Sequence, residues 1–356
     1  MTSDSILLLR PDDFADVVTV GEAIDWVEQG YREASAHRAI NQPRRRVEAK
    51  ATRLVSFLGG ADGMGAIGVL TRTETPARDP KTDQTYRGHP LTALWDSAYS
   101  RLLAIIIGEP LDKRVGLSSA VALRTGATSG VGFRLLARKN ARTAGVLGTG
   151  GQALHKVLAL QHERPIATYK VFSRMAENRA AFCDKLRKLV DAEFVPVGSA
   201  RDAIAGVDVV ICATNSGTPV FDGHWLEPGQ HLVTVVGASA PARDGKPPVG
   251  RREADDVAVK RVDLIATNWR EAVELERPAG LIEPLERGII TWDDIHEIGA
   301  IAAGSAPGRT SDAQITYHAN SSGTAAADLA IARGIYDRCV ELGRGLPIEL
   351  PRAGAR

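Results

Sequence analysis

Apolar and polar positions change their rhythm partway along the chain. Up to about residue 127 the pattern is mixed: a helix is predicted over residues 21–36, followed by short strand-like runs at 66–70, 91–95 and 102–107. Gly59, Gly60, Gly63, Gly65 and Gly88 punctuate these runs as turns. The pattern predicts a small α+β domain of meandering antiparallel strands. Its longest apolar run, LLAIII at 102–107, reads as one buried strand and falls far short of the roughly 20 residues that span a bilayer.

From about residue 143 the pattern alternates. Strands are predicted at 143–147, 166–172 and 192–197 with helices at 152–161 and 176–189 between them, and further buried strands follow at 208–213, 231–236 and 264–266. Strands that alternate with helices need parallel crossovers, which predicts a doubly wound parallel sheet. Proline, glycine and charge gather at 241–252 and 304–310, so loops are expected there. Helical spacing returns at 325–342, where the chain is free to rejoin the first domain. The chain shows no self-similarity at a period of roughly 20 to 50 residues, which argues against a solenoid or propeller.

Chemistry enters where the alternation starts. Residues 144–158 read AGVLGTGGQALHKVL. Gly148, Gly150 and Ala153 occupy the three small positions of GxGxxG/A: a tight turn, a close backbone approach to pyrophosphate, and close packing of helix on strand. The helix that follows aims unpaired N–H groups and the positive end of its dipole at the anion. Leu154, Val157 and Leu158 give that helix one buried face. A glycine-rich turn alone is weak evidence. Here a strand precedes it, a helix follows, and the alternation continues for over 100 residues, so dinucleotide binding is inferred.

Which dinucleotide depends on the end of the second strand, about 20 residues on, where an acidic side chain would take the ribose 2′-hydroxyl of NAD. That strand ends Val171-Phe172-Ser173-Arg174, without a carboxylate. Ser173 and Arg174 suit a 2′-phosphate through a hydroxyl and a guanidinium fork. This favours NADP(H) and keeps NAD(H) as the alternative, in which Arg174 is solvated or stacks on the adenine of either cofactor.

Composition narrows the partners. A chain of 356 residues predicts two domains, at roughly 100 to 200 residues each. Lys plus Arg number 44 against 43 Asp plus Glu, a net charge of +1 that excludes the electrostatic footprint of a nucleic-acid binder. Trp26, Trp95, Trp225, Trp269 and Trp292 do not interleave with basic residues as base-stacking platforms would. Cys183, Cys212 and Cys339 lie far apart without CxxC spacing, so neither a disulfide framework nor a metal site is expected, and a reducing cytoplasm fits best. The start, MTSDSILLLRPDD, has a hydrophobic stretch of only four residues and no basic region before it, unlike a signal peptide. Asp255-Asp256 and Asp293-Asp294 fall at predicted helix starts, where capping accounts for them.

Several segments together resemble the ornithine cyclodeaminase and mu-crystallin family of NAD(P)-dependent enzymes. They are residues 121–137 (VALRTGATSGVGFRLLA), 148–153 (GTGGQA), 208–228 (DVVICATNSGTPVFDGHWLEP), 236–238 (VGA) and 298–316 (IGAIAAGSAPGRTSDAQIT). The resemblance implies hydride transfer between a nicotinamide and the carbon of a C=N or CH–NH bond next to a carboxylate. It also implies a homodimer that pairs through the smaller domain, which contains both chain ends. On that division residues 1–127 with 321–356 form an α+β substrate-binding and dimerisation domain, into which a Rossmann-type domain, 128–320, is inserted.

By position in the family's motifs, Arg124 and Thr125 match an Arg-Thr pair whose arginine binds substrate carboxylate or cofactor. A bidentate guanidinium suits either anion, and a helix-surface salt bridge is the plain alternative. Arg44 matches an early carboxylate-binding arginine, within a run Arg44-Arg45-Arg46 that would otherwise be a solvated basic stretch. Gly148, Thr149, Gly150, Gly151, Gln152 and Ala153 form the phosphate turn, and Ala213, Thr214 and Asn215 the strand end along the cofactor. Val236, Gly237 and Ala238 face the nicotinamide side, and Asn320 and Ser321 fall where the family's chain passes back under the nicotinamide.

Two groups of the family's cyclodeaminases are replaced. Their substrate-binding lysine becomes Val55 or Leu70, depending on register, and the aspartate that activates the amino group becomes Ser239. This removes the obvious general acid/base and argues against a standard ornithine cyclodeamination. Arg72 is expected to hold a substrate carboxylate and to share catalysis with Arg124, while His89, Glu74, Asp244 or His318 are candidates for moving a proton. The resulting expectation is an NADP(H)-dependent oxidoreductase acting on a small carboxylate-bearing imine or amino acid, with no nucleic-acid or membrane partner. A redox-neutral ammonia lyase of cyclodeaminase type and a non-catalytic, NADP(H)-dependent small-ligand binder are the alternatives.

Overall fold

The structure, a computed structural model, describes residues 5–50, 52–75, 88–108, 120–235, 251–320 and 323–350. The chain opens with β1 (Ser5–Leu9), α1 (Pro11–Phe14) and α2 (Val20–Ser35), then β2 (Ala39–Asn41), β3 (Arg45–Glu48), β4 (Arg53–Ala61), β5 (Ala66–Glu74), β6 (Leu91–Asp96) and β7 (Leu102–Ile107). It continues through α3 (Ala120–Leu136), β8 (Thr143–Leu147), α4 (Gly151–Glu163), β9 (Thr168–Phe172), α5 (Ala176–Arg187), β10 (Glu193–Pro196), α6 (Ala200–Ile204), β11 (Val209–Cys212) and β12 (His231–Thr234). Next come α7 (Asp256–Arg261), β13 (Leu264–Thr267), α8 (Arg270–Glu276), α9 (Ala279–Glu286), β14 (Ile295–Glu297), α10 (Ile298–Ala303) and β15 (Thr316–Ala319). The last elements are α11 (Ala325–Glu341) and β16 (Leu346–Glu349). Two compact units result: Met1–Arg124 with Thr324–Arg356, and Thr125–Gly323.

The first unit is an α+β layer. Its sheet runs β16-β1-β7-β6-β5-β4-β2, with β3 also paired to β4. Strands β5 to β7 form the expected antiparallel meander, β4 extends it with Gly59 and Gly60 inside the strand where turns were expected, and β1 joins β7 in parallel. Strict alternation sends Val55, Phe57, Gly59 and Ala61 of β4 to one face, where they are buried. Helix α11 packs there: a Cβ on Gly59 would lie 2.6 Å from that of Ala325, and one on Gly68 2.8 Å from Leu329 Cδ2. Glycines are needed at both places because a Cβ would also meet backbone, the Ile40 carbonyl oxygen at 2.4 Å for Gly59 and that of Ala93 at 2.5 Å for Gly68. Helix α2 starts with a reciprocal capping box between Thr19 and Glu22. On the opposite face of the sheet Ile40, Val47, Leu54, Leu58, Ile67 and Leu91 are exposed, Ile40 by 66% and Val47 by 64%.

The second unit is the doubly wound layer that the alternation predicts. All neighbours in its eight-stranded sheet, β10-β9-β8-β11-β12-β15-β13-β14, are parallel. Strands β11, β12, β13 and β15 are buried at every position, as strands covered on both faces must be. Asp255 caps α7 by accepting from Ala258 N at 2.7 Å, and Asp294 accepts from Thr291 N at 2.7 Å, so one carboxylate of each pair acts as a cap, while Asp256 pairs with Arg252 and Arg287. Two strands escape the periodic pattern: β14, only three residues long, and β15. Thr316–Ala319 alternates polar and apolar residues over only four positions, yet as β15 it inserts between β12 and β13. Among the described residues no helix is long and apolar enough to cross a membrane, and no cluster of His, Cys, Asp or Glu suits a metal ion.

Candidate nucleotide site and arginine cluster

The phosphate turn is built from space as much as from groups. Gly148 has φ +112, and a Cβ there would stand 2.2 Å from the carbonyl oxygen of Ala213, so both backbone conformation and packing demand glycine. Around Gly150 and Gly151 the opposite holds: a Cβ on either would meet nothing within 4 Å. Gly150 is the N-cap of α4 and offers no side-chain cap, leaving the first N–H groups of that helix to an outside acceptor. Ala153 is buried where helix meets sheet. A cleft of about 1290 Å³ opens over this turn, lined also by Thr149, Gln152, Ser173, Arg174, Ala213, Thr214 and Asn215. The Oε1 of Gln152 is buried without a partner among the described residues, an acceptor that a ligand donor would satisfy. A backbone cradle and an orphaned acceptor on one helix N-terminus fit a dinucleotide.

At the far end of the cleft Ser173 and Arg174 follow β9, joined by Asn178 and Lys185 of α5, which the sequence reading did not single out. A lysine on the helix after the second strand is a signal that spacing alone could have supplied. Arg179 is a support: its Nη1 donates to the Ser173 carbonyl at 2.6 Å, and its guanidinium stands 5.7 Å from the centre of the Phe172 ring.

Behind the strand ends lies a buried polar layer. Glu253 accepts from Thr214 N at 2.6 Å, Thr214 Oγ1 at 2.8 Å and Val235 N at 2.8 Å, tying the ends of β11 and β12 together. The side-chain amide of Asn320 is fully engaged within the protein. Its Nδ2 donates to the Thr125 carbonyl and to Ser129 Oγ, both at 2.8 Å, and its Oδ1 accepts from Asn268 Nδ2 at 2.9 Å. His318 is buried against Asn268, and burial pulls its imidazole down to about 3, so it stays neutral and moves no proton near neutral pH. That removes one candidate acid/base. Val236, Gly237, Ala238, Ser239, Asp244 and Ser321 lie outside the described residues.

In the first unit the arginines singled out from the sequence come together. Arg72 on β5 and Arg44 before β3 both face the Phe57 ring, at 5.9 and 5.5 Å from its centre. Burial, then the charges of Arg46, Arg124 and Arg72, lower the pKa of Arg44 to about 9, with Glu74 opposing. Arg124 is buried and donates from Nε to Asp328 Oδ1 at 2.8 Å, a pair that replaces the helix-surface bridge held as the alternative. Glu74, two residues past Arg72, pairs with Arg53 at 2.9 Å. Val55 stands opposite Arg72 and Leu70 opposite Phe57, and Val55, Phe57, Leu70 and Ala325 form one apolar cluster. The positions where cyclodeaminases keep a lysine are thus packing positions here. His89 is exposed.

Residues 114–343 match the Ornithine cyclodeaminase/mu-crystallin family. The chain is 30% identical over 347 residues to a Delta(1)-pyrroline-2-carboxylate reductase of Bacillus cereus, covering 97% of this chain and all of that one. The ketimine reductase mu-crystallin of Mus musculus is 26% identical over 261 residues, 71% of this chain and 73% of its own. Among solved structures, Thermococcus litoralis Delta(1)-pyrroline-2-carboxylate reductase in complex with NADH and L-proline superposes with a TM-score of 0.81 at 27% identity, over 96% of this chain and 99% of that one. With the phosphate turn, the arginine cluster and this match over more than half its length, the chain belongs to the ornithine cyclodeaminase/mu-crystallin family.

Proposed function

We propose that the protein is an NAD(P)H-dependent oxidoreductase that reduces the C=N bond of a small imine carboxylate, or oxidises the corresponding amino acid. The observation that carries this reading is the uncapped α4 N-terminus under open space at Gly150 and Gly151, in a chain related end to end to imine reductases. A bound nicotinamide supplies the hydride. In the second unit, backbone N–H groups of residues 149–152 hold the pyrophosphate, and Ser173, Arg174 and Lys185 take the adenosine ribose. The lack of a carboxylate after β9 favours NADP(H). In the first unit, Arg72 and Arg44, held over Phe57, take the substrate carboxylate, with Arg124 set by Asp328 beside them. Asp244 and Glu74 remain the candidates for moving a proton to the imine nitrogen, Glu74 through its pair with Arg53, since His318 is held neutral and His89 is exposed. The exposed apolar face of the first unit's sheet is assigned to a second copy of the chain, in a soluble cytoplasmic dimer.

The test is NADPH consumption, followed at the reduced-nicotinamide absorbance band, with Δ1-pyrroline-2-carboxylate and a panel of related cyclic and open-chain imines. Turnover is expected. Ammonia release from a diamino acid without net NADPH change would replace the reading with the lyase. Tight NADPH and carboxylate binding without any turnover would replace it with a binding protein, which the apolar packing of Val55 and Leu70 would then explain.

A further inference from the structure

Helix α4 carries one side chain that its buried position does not explain. Lys156 is 0% exposed, between α3 and the sheet, where an apolar side chain of similar length would fill the space without desolvating an amine. Its Nζ donates to Ser129 Oγ. Burial lowers its pKa to about 7, with Glu253 and Cys212 opposing.

Ser129 is the head of a chain of bonds that has only one sense. The Thr125 carbonyl can only accept, so it receives Asn320 Nδ2 and the Ser129 hydroxyl, at 2.8 and 3.2 Å. Asn320 Oδ1 must then face Asn268 Nδ2, and Asn268 Oδ1 must face a protonated His318 Nε2, at 2.9 Å each. This leaves His318 Nδ1 bare, and it is indeed buried without a partner among the described residues. Ser129 Oγ spends its proton on Thr125 and accepts from Asn320 and Lys156. At the other end, the backbone N–H of Asn320 donates to the Thr234 carbonyl at 3.2 Å, joining the carboxyl ends of β15 and β12.

We infer that Lys156 is a positioning residue for the nucleotide: by holding Ser129 against Asn320 it fixes the carboxyl end of β15 beside that of β12, where the nicotinamide half binds. The inference rests on reading this unit as a nicotinamide-nucleotide site. Lys156 does not line the cleft, and its side chain bonds to Ser129, so its effect falls on the nicotinamide half of the ligand.

The experiment compares full-length wild type, Lys156→Met and Ser129→Ala. NADPH is titrated by nicotinamide fluorescence and 2′,5′-ADP, the adenosine half alone, by calorimetry, with melting curves alongside. Both variants are expected to weaken NADPH about 3- to 10-fold, the loss of one buried hydrogen bond. Their affinity for 2′,5′-ADP should stay within about twofold, and Lys156→Met should melt no lower than wild type. NADPH binding within about twofold of wild type in both variants overturns the inference, as does equal weakening of both ligands. If Lys156→Met does not fold, Ser129→Ala decides alone. Wild type that binds neither ligand overturns the NADP(H) reading, and wild type that also fails to bind NADH overturns the nucleotide reading itself.

Discussion

The phosphate turn of one unit and the arginine cluster of the other present opposite answers to an anion. The turn offers backbone N–H groups and emptiness: Gly150 and Gly151 have nothing above them, and Gly148 is held by a contact that tolerates no side chain. The cluster offers formal charge at close quarters, with half-buried Arg44 beside Arg46, Arg72 and Arg124 and stacked on Phe57. A dipole cradle needs no counter-ion, whereas gathered guanidiniums need carboxylates such as Asp328 and Glu74 to be tolerated at all. The first is sensitive to added volume, the second to removed charge.

The sharpest break should come at Gly148. Gly148→Ala places a methyl 2.2 Å from a backbone oxygen at φ +112, so nucleotide affinity should fall by more than about 100-fold and stability by about 3 kcal/mol. Gly150→Ala, with nothing to clash with inside the protein, should leave stability within about 0.5 kcal/mol and weaken only the nucleotide. Calorimetric titration with denaturant curves separates the two, and equal stability losses would refute the distinction. Next in size is Arg72→Ala. It should raise KM for the imine about 30-fold while the NADPH Kd stays put, since one charged hydrogen bond to a carboxylate is at stake. A parallel rise in both constants would mean that the cluster serves folding instead.

Arg174→Ala should be milder, costing about tenfold in kcat/KM with NADPH and nothing with NADH. An enzyme already preferring NADH would settle that point against the 2′-phosphate. The smallest effect is on acid stability. His318 is held at about 3 against an ordinary 6.5, so between those values the unfolded chain binds a proton that the folded chain refuses. Stability should therefore be flat above pH 6.5 on this account and decline as pH drops below it, by about 1 kcal/mol between pH 6 and 5. Urea titrations across that range would show it, with His318→Gln removing this share of the slope while the equally buried His231, also held well below its ordinary value, keeps its own.

The same contrast explains what could be read from the sequence. A phosphate turn is local, so strand 143–147, the glycine spacing and the helix after it fall out of fifteen consecutive residues, and β8 ends where the pattern says. The cluster depends on register between β4 and β5, which pairs Val55 with Arg72, and no local pattern states which residues will face each other. Hence Val55 and Leu70 could not be told apart as replacements for the lysine, and both prove to be in one apolar cluster. Lys156 escaped, and His318 was read as a proton carrier, for a related reason: their roles follow from burial among residues far away in sequence, including Ser129, Asn268 and Glu253. Strand β15 was missed because four residues with polar Thr316 and His318 carry little strand signal, and only the buried layer they complete makes them one.

That late strand has a consequence for how the chain is made. Residues 316–319 pair with β12 on one side and β13 on the other, so both edges stay open during synthesis until nearly the whole chain has emerged. The first unit waits still longer, since β1 takes β16 as a partner and α11 covers the buried face of its sheet. Neither layer can close around a partial chain. A nascent protein of this topology is exposed to mispairing for most of its translation, and premature stops anywhere before the final helix should yield aggregates, not a smaller working nucleotide binder.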